Sequence, residues 1–222
     1  MNSKSQIKSY HIFYHPKNKR ALVWARKLAS FVKNNHKSLK ADPKKPDVVF
    51  VLGGDGTILE AARKYHEFGS IILGLNLGHV GFLASVRDEK EFLKLLGQFL
   101  KGLYGIVERM MATAKVLRRG KVIFKTEALN EVVVKNPLGM VELEVRVACP
   151  GEARAGHPVK HIQGTGILVS TATGSTAYNL SAHGPIVMPD IKCFIITEVL
   201  DHSIPSPSLV VKYNNPIKIK VV

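Results

Sequence analysis

The run DVVFVL, residues 47–52, leading straight into GGDGT, residues 53–57, constrains this chain more than any other feature. Val48, Val49, Phe50, Val51 and Leu52 leave no polar face. A strand with one wet face alternates. A continuous apolar strand must be covered on both sides, as in a parallel sheet layered with helices. The three glycines that follow make a tight strand-to-helix turn around Asp55. Two readings of that turn stand side by side. Gly53, Gly54 and Gly56 could serve only the backbone, with Asp55 tolerating unusual angles. Alternatively, bare backbone lets a phosphate come close while Asp55 meets a hydroxyl or a metal.

The surrounding chain favours a layered α/β fold. IKSYHIFY, residues 7–14, reads as a strand. In RALVWARKLASFVKN, Leu22, Ala25, Leu28, Ala29 and Val32 recur at helical spacing. ILEAARKYHEF continues the pattern as a helix, Gly69 breaks it, IILGLNL is a second apolar strand, and a helix follows near DEKEFLKLLGQFLKG. This alternation predicts a Rossmann-like doubly wound α/β domain over residues 1–105. Ligands of such sheets sit beyond the carboxyl ends of the strands, where GGDGT and LGHVGF fall. From residue 106 onward the pattern changes. TAKVLRRGKVIFKTEALNEVVVKN, MVELEVRVA, GILVS, KCFIITEVL, SLVVKY and PIKIKVV all read as strands, with a turn at Asn136-Pro137-Leu138-Gly139 and a loop or irregular hairpin over ACPGEARAGHPVKH. Residues 106–222 are therefore expected to form a mostly-β domain, the two halves sharing one cleft.

Composition narrows the function classes. Apolar residues make up 45% of the chain, as in an ordinary globular protein. IILGLNLGHVGFLASV is interrupted by Asn76 and His79, and the first residues lack the apolar core of a secretory signal, so a soluble, cytoplasmic protein without membrane partners is expected. Cys149 and Cys193 form no CxxC pair and read as small apolar fillers. The net charge of +15 includes twelve Lys or Arg before residue 46 against Asp42 alone. The basic–aromatic interleaving of nucleic-acid binders is missing there, so a nucleic-acid partner is not expected. An attraction for polyanionic small ligands is.

Four segments carry more than structure asks for: GGDGT; GLNLGHVGF, residues 74–82; ALNEVVV, which places Asn130 beside Glu131; and STATGSTAYNLSAHGP, residues 170–185. The last packs five hydroxyls between Ser170 and Thr176 ahead of a stretch with helical character. Ser175 or Thr173 could cap that helix, but capping needs one hydroxyl. Five at a helix start suit an anion or the polar edge of a heterocycle, with the Tyr178 ring nearby.

LGGDGT, NLGHVGF, ALNEVVV and STATGSTAYNLSAHGPIV, in this order, closely resemble the NAD kinase family over residues 47–211. GGDG is shared with diacylglycerol-type lipid kinases and phosphofructokinases. TGSTAYNLSA with an upstream LNE separates NAD kinases from the lipid enzymes. The resemblance implies a phosphotransferase that moves the terminal phosphate of ATP, or of polyphosphate, to the 2′-hydroxyl of the adenosine ribose of NAD. It implies Mg²⁺ or another divalent cation arriving with ATP, no metal ligand assigned to a protein side chain, and a homo-oligomer. Asp55 matches the proposed general base. Gly54, Gly56 and Thr57 match the donor- and ribose-contacting turn, and Phe82 matches an aromatic on adenine. Asn130 and Glu131 match a nucleotide-bonding pair. Thr173, Thr176, Ala177, Tyr178, Asn179, Leu180 and Ser181 match the stretch that wraps adenine and ribose. The chain departs from the family pattern at Gln163 (usually basic), Thr165 (usually aspartate), Ala172 (usually proline) and His183 (usually glycine). A kinase for another nucleotide or lipid hydroxyl and a non-catalytic nucleotide-binding regulator are the alternative readings.

Overall fold

The computed structural model describes residues 7–78, 81–148, 156–201 and 206–222; His79, Val80 and Cys149 lie outside them. The chain divides into two compact units, Met1–Val107 and Glu108–Val222.

The first unit is built on a parallel sheet. Its strands are β1 (Ser9–Tyr14), β2 (Lys40–Ala41), β3 (Val48–Gly53) and β4 (Ile71–Asn76), in the order β2-β1-β3-β4. Helices α1 (Lys19–Asn35), α2 (Asp55–Tyr65) and α3 (Phe92–Leu100) connect and cover them. Every residue of β3 is buried, because its two faces meet different helices. Val48, Phe50 and Leu52 share a core with Ala21, Ala25, Leu28 and Val32 of α1 and Phe92, Leu96 and Phe99 of α3. Val49 and Val51 point the other way, onto Ile58, Ala61 and Tyr65 of α2. The missing alternation in the sequence is the record of this two-sided burial. In α1 the fully covered stripe is Ala21, Ala25, Leu28 and Val32, whereas Leu22 and Ala29 are only half covered. The helix meets the sheet through its small residues. Asn18 caps α1, its side chain accepting from the Ala21 N–H at 3.1 Å. Among the described residues no helix is long and apolar enough to cross a membrane.

The second unit is mostly β. A hairpin of β5 (Ala112–Arg118) and β6 (Lys121–Ala128) turns through Arg119 and Gly120, both at positive φ. The main sheet contains β7 (Glu131–Lys135), β8 (Val141–Val147), β9 (His157–Thr171), β10 (Cys193–Asp201), β11 (Leu209–Lys212) and β12 (Ile217–Val221). Its order is β11-β10-β9-β8-β12, every pair antiparallel, and β7 also pairs with β9. Strand β9 organises this sheet. Its first half pairs with β8 and its second half with β7, so two successive strands share one edge of it. The sequence suggests a loop or irregular hairpin up to His161; β8 and β9 do pair antiparallel, and β9 already begins at His157. Pro158 and the nearby glycines hide the strand. Gly166 has a packing reason: a Cβ there would lie 2.2 Å from the Val134 carbonyl oxygen, so only glycine lets β7 approach. Leu143, Val145 and Val147 alternate inward to meet Ile162, Ile167, Val169 and Ile196.

A short helix, α4 (Tyr178–Ser181), leads to His183, whose φ of 60° lies in the left-handed region. A non-glycine residue there costs about 1–2 kcal/mol, part of which glycine returns as extra unfolded-state entropy. His183→Gly is therefore expected to stabilise the protein by about 0.5–1 kcal/mol. The measurement is the urea midpoint, which should rise at unchanged denaturant slope.

Candidate functional site

The expected site residues fall into two groups, one in each unit. The first group lies at the carboxyl end of β3. Gly53 closes the strand, and a Cβ on it would come within 2.3 Å of the Thr57 hydroxyl oxygen, so Thr57 folds back over the turn only because residue 53 is glycine. Gly54 is the cap residue before α2 and adopts extended backbone. At Gly54 and Gly56 an added Cβ would meet no atom of the described residues within 4 Å. Packing among the described residues does not demand glycine at either position. Bare backbone there leaves an approach for something outside the chain.

Asp55 is the first residue of α2, where the helix dipole favours a negative charge. Its carboxylate accepts the Phe82 N–H at 2.8 Å on one oxygen and the Leu83 N–H at 3.2 Å on the other. The acid also lies flat against Gly81, where a Cβ would sit 2.2 Å from a carboxylate oxygen. The second glycine segment thereby brings backbone donors onto the acid. Asn76 turns that segment, its Oδ1 accepting the Gly78 N–H at 3.1 Å, while the Leu77 N–H reaches the Gly53 carbonyl. Asp55 is half-buried, and the described residues fill about two of the four acceptor positions of its carboxylate. Phe82 is 67% exposed, its ring presented to solvent by a backbone that the acid holds.

The second group surrounds the start of β7. Ser170, Thr171, Thr173 and Ser175, four of the five clustered hydroxyls, are buried and bonded within the chain. Thr171 donates to the Leu129 carbonyl at 2.6 Å, Ser170 to its neighbour's carbonyl at 2.9 Å, and Ser175 to the Val187 carbonyl at 3.1 Å. This corrects the ligand-directed reading of the full cluster. The backbone here is irregular and buried, so its polar groups require side-chain partners. Neither Thr173 nor Ser175 caps α4, which begins at Ala177 without a side-chain cap. Thr173 meets Arg109, whose guanidinium donates to the hydroxyl at 3.5 Å. Sequence reading missed Arg109, since ERMM belongs to none of the recognisable segments. Thr176 and Ala177 are half-buried, and Tyr178, Leu180 and Ser181 are exposed. Asn179 is fully buried, so its side chain faces the interior rather than a ligand. On β9, Gln163 is exposed and Thr165 half-buried.

Asn130 fixes the cluster through its backbone. Its carbonyl accepts the Thr171 N–H at 2.8 Å, and a Cβ on Gly174 would fall 2.3 Å from that oxygen. Glu131 stands beside it. The backbone N–H of Tyr178 donates to its carboxylate, yet its Oε2 is shut from water with no hydrogen-bond partner among the described residues. Burial pushes this carboxyl above the ordinary glutamate value, against the smaller, opposing effect of the Tyr178 N–H. A lone buried acceptor is costly.

Because the folded carboxyl holds its proton more tightly than the unfolded one, Glu131 is least unfavourable to folding at low pH. Stability is lost as pH rises through its folded pKa. Glu131→Gln is therefore expected to be more stable than the parent at neutral pH without ligand. The difference should fade as pH falls below the ordinary carboxylate range. Urea midpoints measured from pH 4 to pH 8 test this; a gain independent of pH would contradict it.

Comparison with known proteins finds a family match in each unit. Sequence models of the ATP-NAD kinase N-terminal domain and the ATP-NAD kinase C-terminal domain match residues 4–104 and 129–222. The chain is 40% identical over 177 residues to an NAD kinase of Symbiobacterium thermophilum, an alignment covering 79% of this chain and 60% of that protein. It is 39% identical over 175 residues to a bifunctional NADP phosphatase/NAD kinase of Methanocaldococcus jannaschii, covering 78% of this chain and 29% of the relative. The chain thus spans well under two thirds of the length of these relatives. Among solved structures, yeast NADH kinase complexed with NADH superposes with a TM-score of 0.83 at 20% identity, covering 98% of this chain and 69% of that one. An NAD kinase from Archaeoglobus fulgidus in complex with ATP superposes with a TM-score of 0.75 at 24% identity, covering 96% and 80%. These two likenesses establish the shared fold. Matched along both units, and carrying the glycine turn and the LNE and TGSTAY segments in order, the chain belongs to the NAD kinase family.

Proposed function

We propose that the chain transfers the terminal phosphate of ATP, or of polyphosphate, to the 2′-hydroxyl of the adenosine ribose of NAD, forming NADP. The observation that carries this reading is the setting of Asp55. A half-exposed carboxylate is oriented by two backbone N–H groups, between glycines where an added Cβ would meet no atom of the described residues. A secondary alcohol is a weak nucleophile. A carboxylate in hydrogen-bond reach accepts its proton as the oxygen bonds to phosphorus and the bond from phosphorus to the ADP oxygen breaks. NAD and ATP become NADP, ADP and one proton. Asn130 and Glu131 would hydrogen-bond the nucleotide, and Tyr178 and Leu180 would give apolar surface to its base and sugar.

The donor set around Asp55 fits a divalent cation that arrives on the donor phosphates. Mg²⁺ keeps water and phosphate ligands and needs only one or two carboxylates, and the described residues leave acceptor positions of Asp55 unfilled. Such an ion, when bound, neutralises charge on the transferring phosphoryl group. The net charge of +15 favours two polyanionic ligands together. A cytoplasmic location and a homo-oligomeric state belong to the same proposal.

Incubation with Mg-ATP and NAD, reading NADP through a coupled dehydrogenase, tests the activity; polyphosphate and NADH in parallel reactions define donor and acceptor. Asp55→Asn should lower kcat by about 10²–10⁴. An amide also presents an NH₂ where a carboxylate oxygen accepts an N–H, so amide exchange of residues 81–83 should quicken in the same variant. NADP formation by the variant at most of the parent rate would refute Asp55 as the base.

A further inference from the structure

Asn179 is fully buried although Tyr178, Leu180 and Ser181 around it are exposed. Its amide has a complete set of internal partners. Nδ2 donates to the Ser175 carbonyl at 3.3 Å and to the Pro185 carbonyl at 3.0 Å, joining the two ends of the turn that holds α4. Oδ1 accepts from the Thr197 hydroxyl on β10 at 2.7 Å. Thr197 Oγ1 lies 2.8 Å from Ser208 Oγ. The direction of every bond follows. Two carbonyls face Nδ2, so Oδ1 must face Thr197. Thr197 has one proton and gives it to Oδ1, so the proton between the hydroxyls belongs to Ser208. Gly184 packs against the amide, where a Cβ would lie 2.2 Å from Oδ1. Its N–H also closes the turn onto the Asn179 carbonyl at 2.8 Å.

Thr197 is flanked on β10 by Ile195, Ile196 and Val199, all buried, so an apolar residue would suit this position by burial alone. A fully satisfied polar chain contributes something an apolar contact cannot, a single orientation for the group it holds. We infer that Asn179, Thr197 and Ser208 are positioning residues: they set the Thr176, Tyr178, Leu180 and Ser181 surface relative to the sheet, and so set affinity for the nucleotide. This inference rests on the proposal that the TGSTAYNLS stretch holds NAD. Asn179 acts through the turn and not by touching the ligand.

Thr197→Val keeps the shape and removes the donor, whereas Thr197→Ser keeps the hydroxyl. Thr197→Val should raise the KM for NAD about tenfold with kcat little changed, the size of losing one hydrogen bond in a buried network. Thr197→Ser should stay near the parent. Val145→Ala, a cavity in the Leu143–Val147 core away from this chain of bonds, is the comparison for plain destabilisation. It should lower Tm and leave KM in place. Amide exchange without ligand supplies a readout independent of catalysis. The amides of Ala177, Leu180, Ala182, His183 and Gly184 are all hydrogen-bonded within the turn and should exchange faster in Thr197→Val than in Val145→Ala at matched stability. An unmoved KM, or exchange no faster than in the Val145→Ala protein, would overturn the inference. If the parent makes no NADP, the functional reading fails by itself, and the exchange comparison alone decides whether the bonds set the turn.

Discussion

Two backbone N–H groups, from Phe82 and Leu83, end on the carboxylate of Asp55, and the local architecture of the first unit follows from satisfying that acid. An ionised side chain at the end of a fully buried strand needs donors. The chain supplies them from a second glycine segment, through the N–H groups of Phe82 and Leu83. Gly81 is glycine because the carboxylate lies on it, and Gly53 because Thr57 does. Gly54 and Gly56 have no such reason among the described residues. That contrast separates glycines that serve packing from glycines that leave space. It also gives Asp55 two duties, as the proposed base and as the clip for the backbone that presents Phe82.

The second unit meets the complementary problem. Residues 172–175 run buried beyond the end of β9 and off the sheet ladder, so their carbonyls and N–H groups need other partners. Ser170, Thr171 and Ser175 answer with their hydroxyls, and Gly174 lets the Asn130 carbonyl come close. What remains available to a ligand is therefore smaller than a count of hydroxyls suggests: Thr176 and the exposed side chains of Tyr178, Leu180 and Ser181. A rigid polar scaffold behind a small contact surface is how a site acquires preorganisation.

Legibility in the sequence divided along physical lines. The unbroken apolar run of β3 stated its two-sided burial directly, and the alternation of Leu143, Val145 and Val147 stated the one-sided burial of β8. Strand β9 was only half legible, because Pro158 and Gly164 mimic a loop where cross-strand pairing with β8 prevails. Asn179 sits inside a segment rich in ligand-like residue types, and nothing in its neighbours tells an inward amide from an outward one. The partners that decide the matter, Pro185 and Thr197, are 6 and 18 residues away. Arg109 was invisible for the same reason, lying 64 residues from the threonine it meets.

By itself the amino-acid sequence determined the layering of the first unit, the β character of the second and the family, because periodicity and short motifs are local records of burial and turn chemistry. Only the tertiary structure decided which hydroxyls and amides are committed inward, which glycines are packed upon, and where the Asp55 carboxylate finds its donors. Hydrogen-bond satisfaction is settled between groups far apart along the chain, and no local pattern carries that information.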